Sequence, residues 1–164
     1  MSFAIPKSLK TEHDHLHKDL KLATTQGGRT GDAARVVADR LHAHFEREEE
    51  FAMPPLGLLA AVTGSSSGPE ISPDETKKAI TMADRLADEL PHMLAEHQEI
   101  VAALHLLIAA AQEENHPEVV EFAEKLMLHA QTEEEVLYPA AIIVGRYLKL
   151  EAQVRSGTAS AISV

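Results

Sequence analysis

The stretch Leu126-Met127-Leu128-His129-Ala130-Gln131-Thr132-Glu133-Glu134-Glu135-Val136-Leu137-Tyr138-Pro139 repeats the pattern of Leu41-His42-Ala43-His44-Phe45-Glu46-Arg47-Glu48-Glu49-Glu50-Phe51-Ala52-Met53-Pro54 at an offset of 85 residues. On a helix, positions three, four and seven apart share a side. His44 therefore shares its side with Val37, Leu41, Glu48 and Phe51, and His129 with Phe122, Leu126, Glu133 and Val136. Both copies predict an amphipathic helix that turns a histidine and a glutamate toward a core. A second pattern, Glu12-His13-x-x-Leu16-x-x-x-Leu20, recurs as Glu96-His97-x-x-Ile100-x-x-x-Leu104 at an offset of 84. Two helix pairs carrying the same pattern in the same order predict an all-α, up-down-up-down antiparallel four-helix bundle with an internal twofold helix-pair repeat.

Punctuation along the chain fits that plan. Ser8 is the expected cap of a helix reaching Thr25, and Gly27-Gly28-Arg29-Thr30-Gly31 separates it from one capped by Asp32 and stopped by Pro54-Pro55. Leu56 to Val62 is an apolar segment before the Gly64-Ser65-Ser66-Ser67-Gly68 linker. Ser72-Pro73-Asp74-Glu75 joins a cap, a first-turn proline and a capping-box glutamate, opening a helix to about Gln112, bent at Pro91. Asn115-His116-Pro117 opens the last helix, which reaches Pro139 and continues, kinked, toward Arg155. Residues 1–155 form the one expected domain and 156–164 a flexible C-terminal tail. The apolar segments after Pro54 and Pro139 read as lids over one end of the bundle, and either also fits a homodimer contact.

Composition narrows the function. With 164 residues the chain is long enough to bury roughly 70% of its unfolded surface. A net charge of −11 argues against nucleic acid and anionic membranes as partners. The absence of cysteine excludes disulfides, thiolate nucleophiles and thiolate metal sites, so any metal must rest on nitrogen and oxygen. The start lacks the regions of a secretory signal and no apolar run approaches the ~18 residues of a membrane span, which predicts a cytoplasmic protein. Against only six aromatic residues the chain holds 10 histidines, and these carry the functional signal.

Four histidines are followed by a glutamate four residues later, where chance would place about one such pair. The faces of His42/Glu46 and His92/Glu96 are charged and belong in water, whereas those of His44/Glu48 and His129/Glu133 are apolar. His13 and His97 share sides with leucines and point inward too. In antiparallel neighbours two residues are level when the turn lies midway between them. The midpoints for His13/His44, His44/His97 and His97/His129 fall in or beside the three breaks, so four inward imidazoles share one level. Glu48 and Glu133 can reach the same centre. Two unpaired carboxylates in an apolar interior need cations between them, and two metal ions about 3.5–4 Å apart, bridged by both, satisfy all six groups. The predicted metal ligands are therefore His13, His44, Glu48, His97, His129 and Glu133.

The bland alternative is a set of separate core histidines, each satisfied by a backbone group. Glu49, Glu50, Glu134 and Glu135 are expected in solvent, His17 half-exposed, with ligation as its alternative role, and His15, His42 and His92 on the surface. His116 is expected as a cap and His105 as a partly buried histidine. A ferritin-like carboxylate oxidase needs Glu-x-x-His on two helices; Glu89/His92 and Glu113/His116 have that spacing, but the first contains Pro91 and the second spans a break.

These segments, Glu12-His13, Leu41 to Glu49, Glu96-His97 and above all His129 to Pro139, resemble the hemerythrin-like, or HHE cation-binding, family over roughly residues 8–155. The resemblance implies a four-helix bundle with a non-haem di-iron centre, oxo- or hydroxo-bridged. In it His13, His44, His97 and His129 are terminal ligands and Glu48 and Glu133 bridges, with zinc or manganese as other cations such donors accept. Oxygen-carrying members have a histidine pair four apart on the third helix, where this chain has Met93 and Val101 beside His97. About two coordination positions stay open, which suits binding or reduction of oxygen, peroxide or nitric oxide. An iron-handling or regulatory metal-binding module is the alternative.

Overall fold

A computed structural model of the protein describes residues 4–64 and 70–161, the last four by backbone alone. Among them the chain is all-helical and holds no strand: α1 Lys7–Thr24, α2 Gly28–Arg47, α3 Leu59–Val62, α4 Pro73–Glu113, α5 Pro117–Thr132 and α6 Tyr138–Ala161. Most of the expected Gly/Ser linker and the end of the expected tail lie outside the described residues.

Helix starts show which local signals decide. At α4, Ser72 Oγ accepts from the Glu75 amide at 3.2 Å and Glu75 accepts from the Ser72 amide at 3.0 Å, the reciprocal cap the sequence predicts. α1 begins at Lys7 after Pro6, one residue before the expected Ser8 cap. α2 departs further, starting at Gly28 rather than beyond Asp32. Its first amides are satisfied from a distance: Arg29 N and Thr30 N donate to the Glu114 carboxylate at 2.8 and 2.9 Å, and Thr30 Oγ1 donates at 2.6 Å. Gly28, at φ 67°, leaves room for that carboxylate, with which a Cβ would collide. Hydrogen bonds from the Thr30 hydroxyl and amide and from the Arg29 amide hold the Glu114 carboxyl down to about 2. A turn that sequence assigns to a local cap is thus fastened by the C-terminal end of α4.

Two widened turns follow α2 and α5. Glu48–Ala52 and Glu133–Leu137 are π-helical, with Met53 N donating to Glu48 O at 2.8 Å and Tyr138 N donating to Glu133 O. Each ends two residues before a proline, Pro54 or Pro139, which has no N–H to continue the α ladder. After the first, Pro55 and Gly57 leave only a 3₁₀ segment, Pro54–Leu58, and the single turn of α3. Leu56 and Leu58 there cover apolar residues, as a lid should. After the second, one proline is not enough to stop the helix. The segment expected as another lid is α6, and its helical backbone runs through Arg155 and Ser156 to Ala161, where fraying was expected.

α4 packs against α2, α5 and α6, and α1 against α2 and α5. Its helix continues unbroken through Pro91. One core joins Leu16, Leu41, Phe45, Leu104, Phe122 and Leu126; another joins Phe51, Leu86, Met93 and Tyr138. Farther along, Gly145 of α6 lies so close to Ala83 of α4 that a Cβ would collide there. By length and mean hydropathy, 1.2 over 18 residues, α4 is the one described helix that fits a membrane span, yet its Met93, Ile100, Leu104 and Leu107 are buried in these cores.

The Glu114 cap has a pH signature. Its carboxyl lies below the ordinary 4.5 in the folded chain, so its stabilisation is present above pH 4.5 and is lost as pH falls toward 2. Glu114→Ala is expected to lower the melting temperature at pH 7, by a margin that shrinks between pH 4.5 and 2. Thermal melts across that range check it; a constant margin would mean that the charge is not responsible.

Candidate metal centre

The repeat that builds the helices also builds the site. His44 lies between Leu41 and Phe51 on its helix side, His97 between Met93 and Ile100, and His129 between Leu126 and Tyr138, so each separates one apolar core from the other. His13, His44, Glu48, His97, His129 and Glu133 are all buried. The structure brings the six together in two overlapping groups: His13, His129, Glu48 and Glu133, and His44, His97, Glu48 and Glu133. Within each, the donor atoms lie within 4.8 Å of one another.

Both carboxylates are divided between the two groups. Glu48 turns Oε1 to His44 Nε2 at 3.0 Å and Oε2 to His13 Nε2 at 3.7 Å. Glu133 turns Oε1 to His129 Nε2 at 3.0 Å and Oε2 to His97 Nε2 at 3.4 Å. The imidazoles meet in pairs, His13 Nε2 to His129 Nε2 at 3.1 Å and His44 Nε2 to His97 Nε2 at 2.7 Å. Two imidazole nitrogens bound side by side on one ion at about 2.1 Å stand roughly 3 Å apart, so both pairs have the spacing of a shared cation. Glu48 Oε2 and Glu133 Oε1 are buried without a hydrogen-bond partner, which costs at least about 1–3 kcal/mol per atom. The residues fit a pair of cations, each held by two imidazoles and two carboxylate oxygens.

The outer nitrogens face carboxylates as well. His44 Nδ1 and His97 Nδ1 each stand 2.9 Å from a carboxylate, of Glu96 and Glu134 respectively. His129 Nδ1 is 3.3 Å from Glu12, and His13 Nδ1 is 3.5 Å from Glu49 without a formed hydrogen bond. Such partners orient a ligating imidazole and raise its basicity. Glu49 and Glu134, expected in solvent, thus reach inward to the histidines while remaining partly exposed. Lys10 holds Glu49 at 2.9 Å and Arg47 pairs with Glu96. The repeat contained this signal, since Glu49 and Glu134 are 85 apart and Glu12 and Glu96 are 84 apart.

Without metal, protons occupy the centre. Burial alone would lower the His97 imidazole, but Glu133, Glu48 and Glu134 lift it to about 10; His129 is lifted against its burial to about 9, chiefly by Glu133. Burial pushes the Glu133 carboxyl up, and the stronger effect of His129, His13 and His97 holds it well below the carboxylate range. The protons held by His97 and His129 thus offset the two buried carboxylates.

No family model, curated protein or solved structure matches the chain. The functional reading therefore rests on residues and geometry.

Tyr138 belongs to the site although periodicity misses it. Its hydroxyl donates to Glu48 and lies 3.4 Å from His44 Nε2 and 3.3 Å from His97 Nε2, while its ring stacks on His97. Burial, then the charges of Glu48 and Glu133, push the phenol far up, so it stays a donor. The widened turn inserts one residue after Glu133, which swings Tyr138 inward and Val136, expected inside, out to solvent. His17 is exposed, edge-on to Phe45, and outside both groups. His15, His42 and His92 are exposed; His105, expected to be partly buried, is exposed as well. His116 occupies the N-cap of α5, with no side-chain cap bond.

Metal binding must displace the protons on His97 and His129. Uptake at pH 7 is expected to release about two protons per chain, with affinity rising as pH climbs toward 9–10, measured with an indicator dye in weak buffer. His129→Ala should abolish tight binding and His42→Ala leave it unchanged. Glu134→Gln should weaken it about 10–100-fold, as read by competition with a chelator.

Proposed function

We propose that the chain is a non-haem di-iron protein of the hemerythrin-like kind, an up-down-up-down antiparallel four-helix bundle that binds or reacts with oxygen, peroxide or nitric oxide. The observation that carries this reading is the division of Glu48 and Glu133: each gives one oxygen to the His13/His129 pair and the other to the His44/His97 pair. Four imidazoles and two carboxylates, with no thiolate, suit borderline divalent and trivalent metals such as iron. When bound, the two irons supply the electrons and open positions that small oxygen or nitrogen ligands need.

The residues of the chain do the rest. Glu48 and Glu133 would offset the cationic charge of bound metal in a buried interior. Glu12, Glu49, Glu96 and Glu134 fix the imidazoles so that their Nε2 atoms converge. Tyr138 holds a proton at its hydroxyl beside Glu48 and keeps that carboxylate oriented. Phe45 stacks on His13 at 4.3 Å and closes one side. A surface groove between α1 and α5, lined by Glu12, Leu16, Leu128 and His129 among others, would give small molecules a route to the edge of the His13/His129 pair. The carboxylate-oxidase alternative loses support, because His92 is exposed and Glu113 is exposed and paired with Arg29.

Metal analysis joined to spectroscopy tests the proposal. Two iron ions per chain are expected, with near-ultraviolet and visible absorption that changes on reduction and on adding oxygen, peroxide or nitric oxide. Two tightly held zinc ions and no spectral response would overturn redox chemistry and leave an iron-handling or regulatory module. Catalytic consumption of peroxide, against a single stoichiometric response, separates an enzyme from a sensor.

A further inference from the structure

The face of α6 turned away from α4 is apolar. Ile143, Tyr147 and Leu150 are 63%, 41% and 62% exposed, and Val136 in the preceding turn is 55% exposed, while Ala141, Val144 and Leu148 on the other side are buried. Within α6, half-buried Ala140 and the exposed Ile143, Tyr147 and Leu150 follow one another at steps of three, four and three residues, the spacing of a short coiled-coil seam, with Val136 of the preceding turn at its end. We propose that this row is the interface of a parallel homodimer, in which a second copy of the chain lays its own α6 alongside in the same direction and register.

Area and charge both select that occupant. Covering the row and its flanking side chains in two copies removes about 1,000 Å² from water, the lower bound for a biological interface and the size of a weak, reversible one. Arg146 and Glu151 flank the seam on opposite sides, five residues apart. In a parallel pair those positions face each other across the seam, so Arg146 of each copy meets Glu151 of the other, whereas an antiparallel pair centred on the row, at residue 143, sets Arg146 level with Ala140 and away from Glu151. Within the chain, Lys149 pairs with Asp84 and Glu151 stands 4.0 Å from Arg155, but Arg146 forms no ion pair among the described residues. Tyr147 donates to Glu151 at 3.1 Å, so its hydroxyl stays satisfied at the rim when the ring is covered. The proposal is independent of the metal reading, since none of these residues lies in the buried centre.

The test uses the full chain. Sedimentation equilibrium is expected to give about twice 17.8 kDa. The double change Ile143→Glu with Leu150→Glu should weaken association roughly 100-fold or more by burying like charges. Arg146→Glu should weaken it several-fold, and adding Glu151→Arg should restore it. The chain has no cysteine, so Leu150→Cys alone should oxidise to a disulfide-linked dimer, because a parallel seam brings each copy of residue 150 to the other. Unchanged circular dichroism and metal content verify that the variants fold. The proposal is overturned by a monomer at about 100 µM, including one that adsorbs to lipid vesicles instead, by a dimer indifferent to the glutamate pair, or by failure of Leu150→Cys to cross-link.

Discussion

Glu48 and Glu133 are buried among four imidazoles, and two carboxylates placed so deeply persist only while positive charge stands between them. At ordinary effective dielectric a bare pair would repel by several kcal/mol, on top of the cost of removing each from water. Protons on His97 and His129 supply that charge in the metal-free chain, and a pair of cations would supply it more fully. The requirement reaches four helices, because α1, α2, α4 and α5 each contribute one imidazole. The apolar cores on either side set the helices at packing distance, and the polar layer fixes their register.

The two widened turns are the backbone counterpart of that layer. Each begins at a buried glutamate, Glu48 or Glu133, and ends two residues before a proline, so the same local sequence positions a carboxylate and absorbs a missing N–H. They also break the likeness of the two halves. Five residues after Glu133 stands Tyr138, whereas five after Glu48 stands Met53, so a hydroxyl borders the His44/His97 pair and has no equivalent at the corresponding repeat position.

The all-helical class and the convergence of the six buried groups were legible because periodicity, level and repeat are properties of single helices and their connections. What stayed hidden depended on something outside a 3.6-residue rule. Val136 and Tyr138 exchange sides because of one inserted residue. Asp32 does not cap α2 because Glu114, 82 positions away, does so first. Glu49 and Glu134 looked like solvated members of acidic runs, and a charge count cannot show that one oxygen reaches back to an imidazole. His105 faces solvent from a helix whose apolar content is high on nearly every side.

The four outer glutamates also determine what the interior can feel. Each touches a buried ring with one end and bulk solution with the other, so the buried centre is separated from the medium by a single layer of side chains. Dissolved ions screen that layer while leaving the shared carboxylates unscreened. Ionic strength therefore acts on the grip of the rings by loosening their outer anchors, and leaves the innermost charge balance untouched.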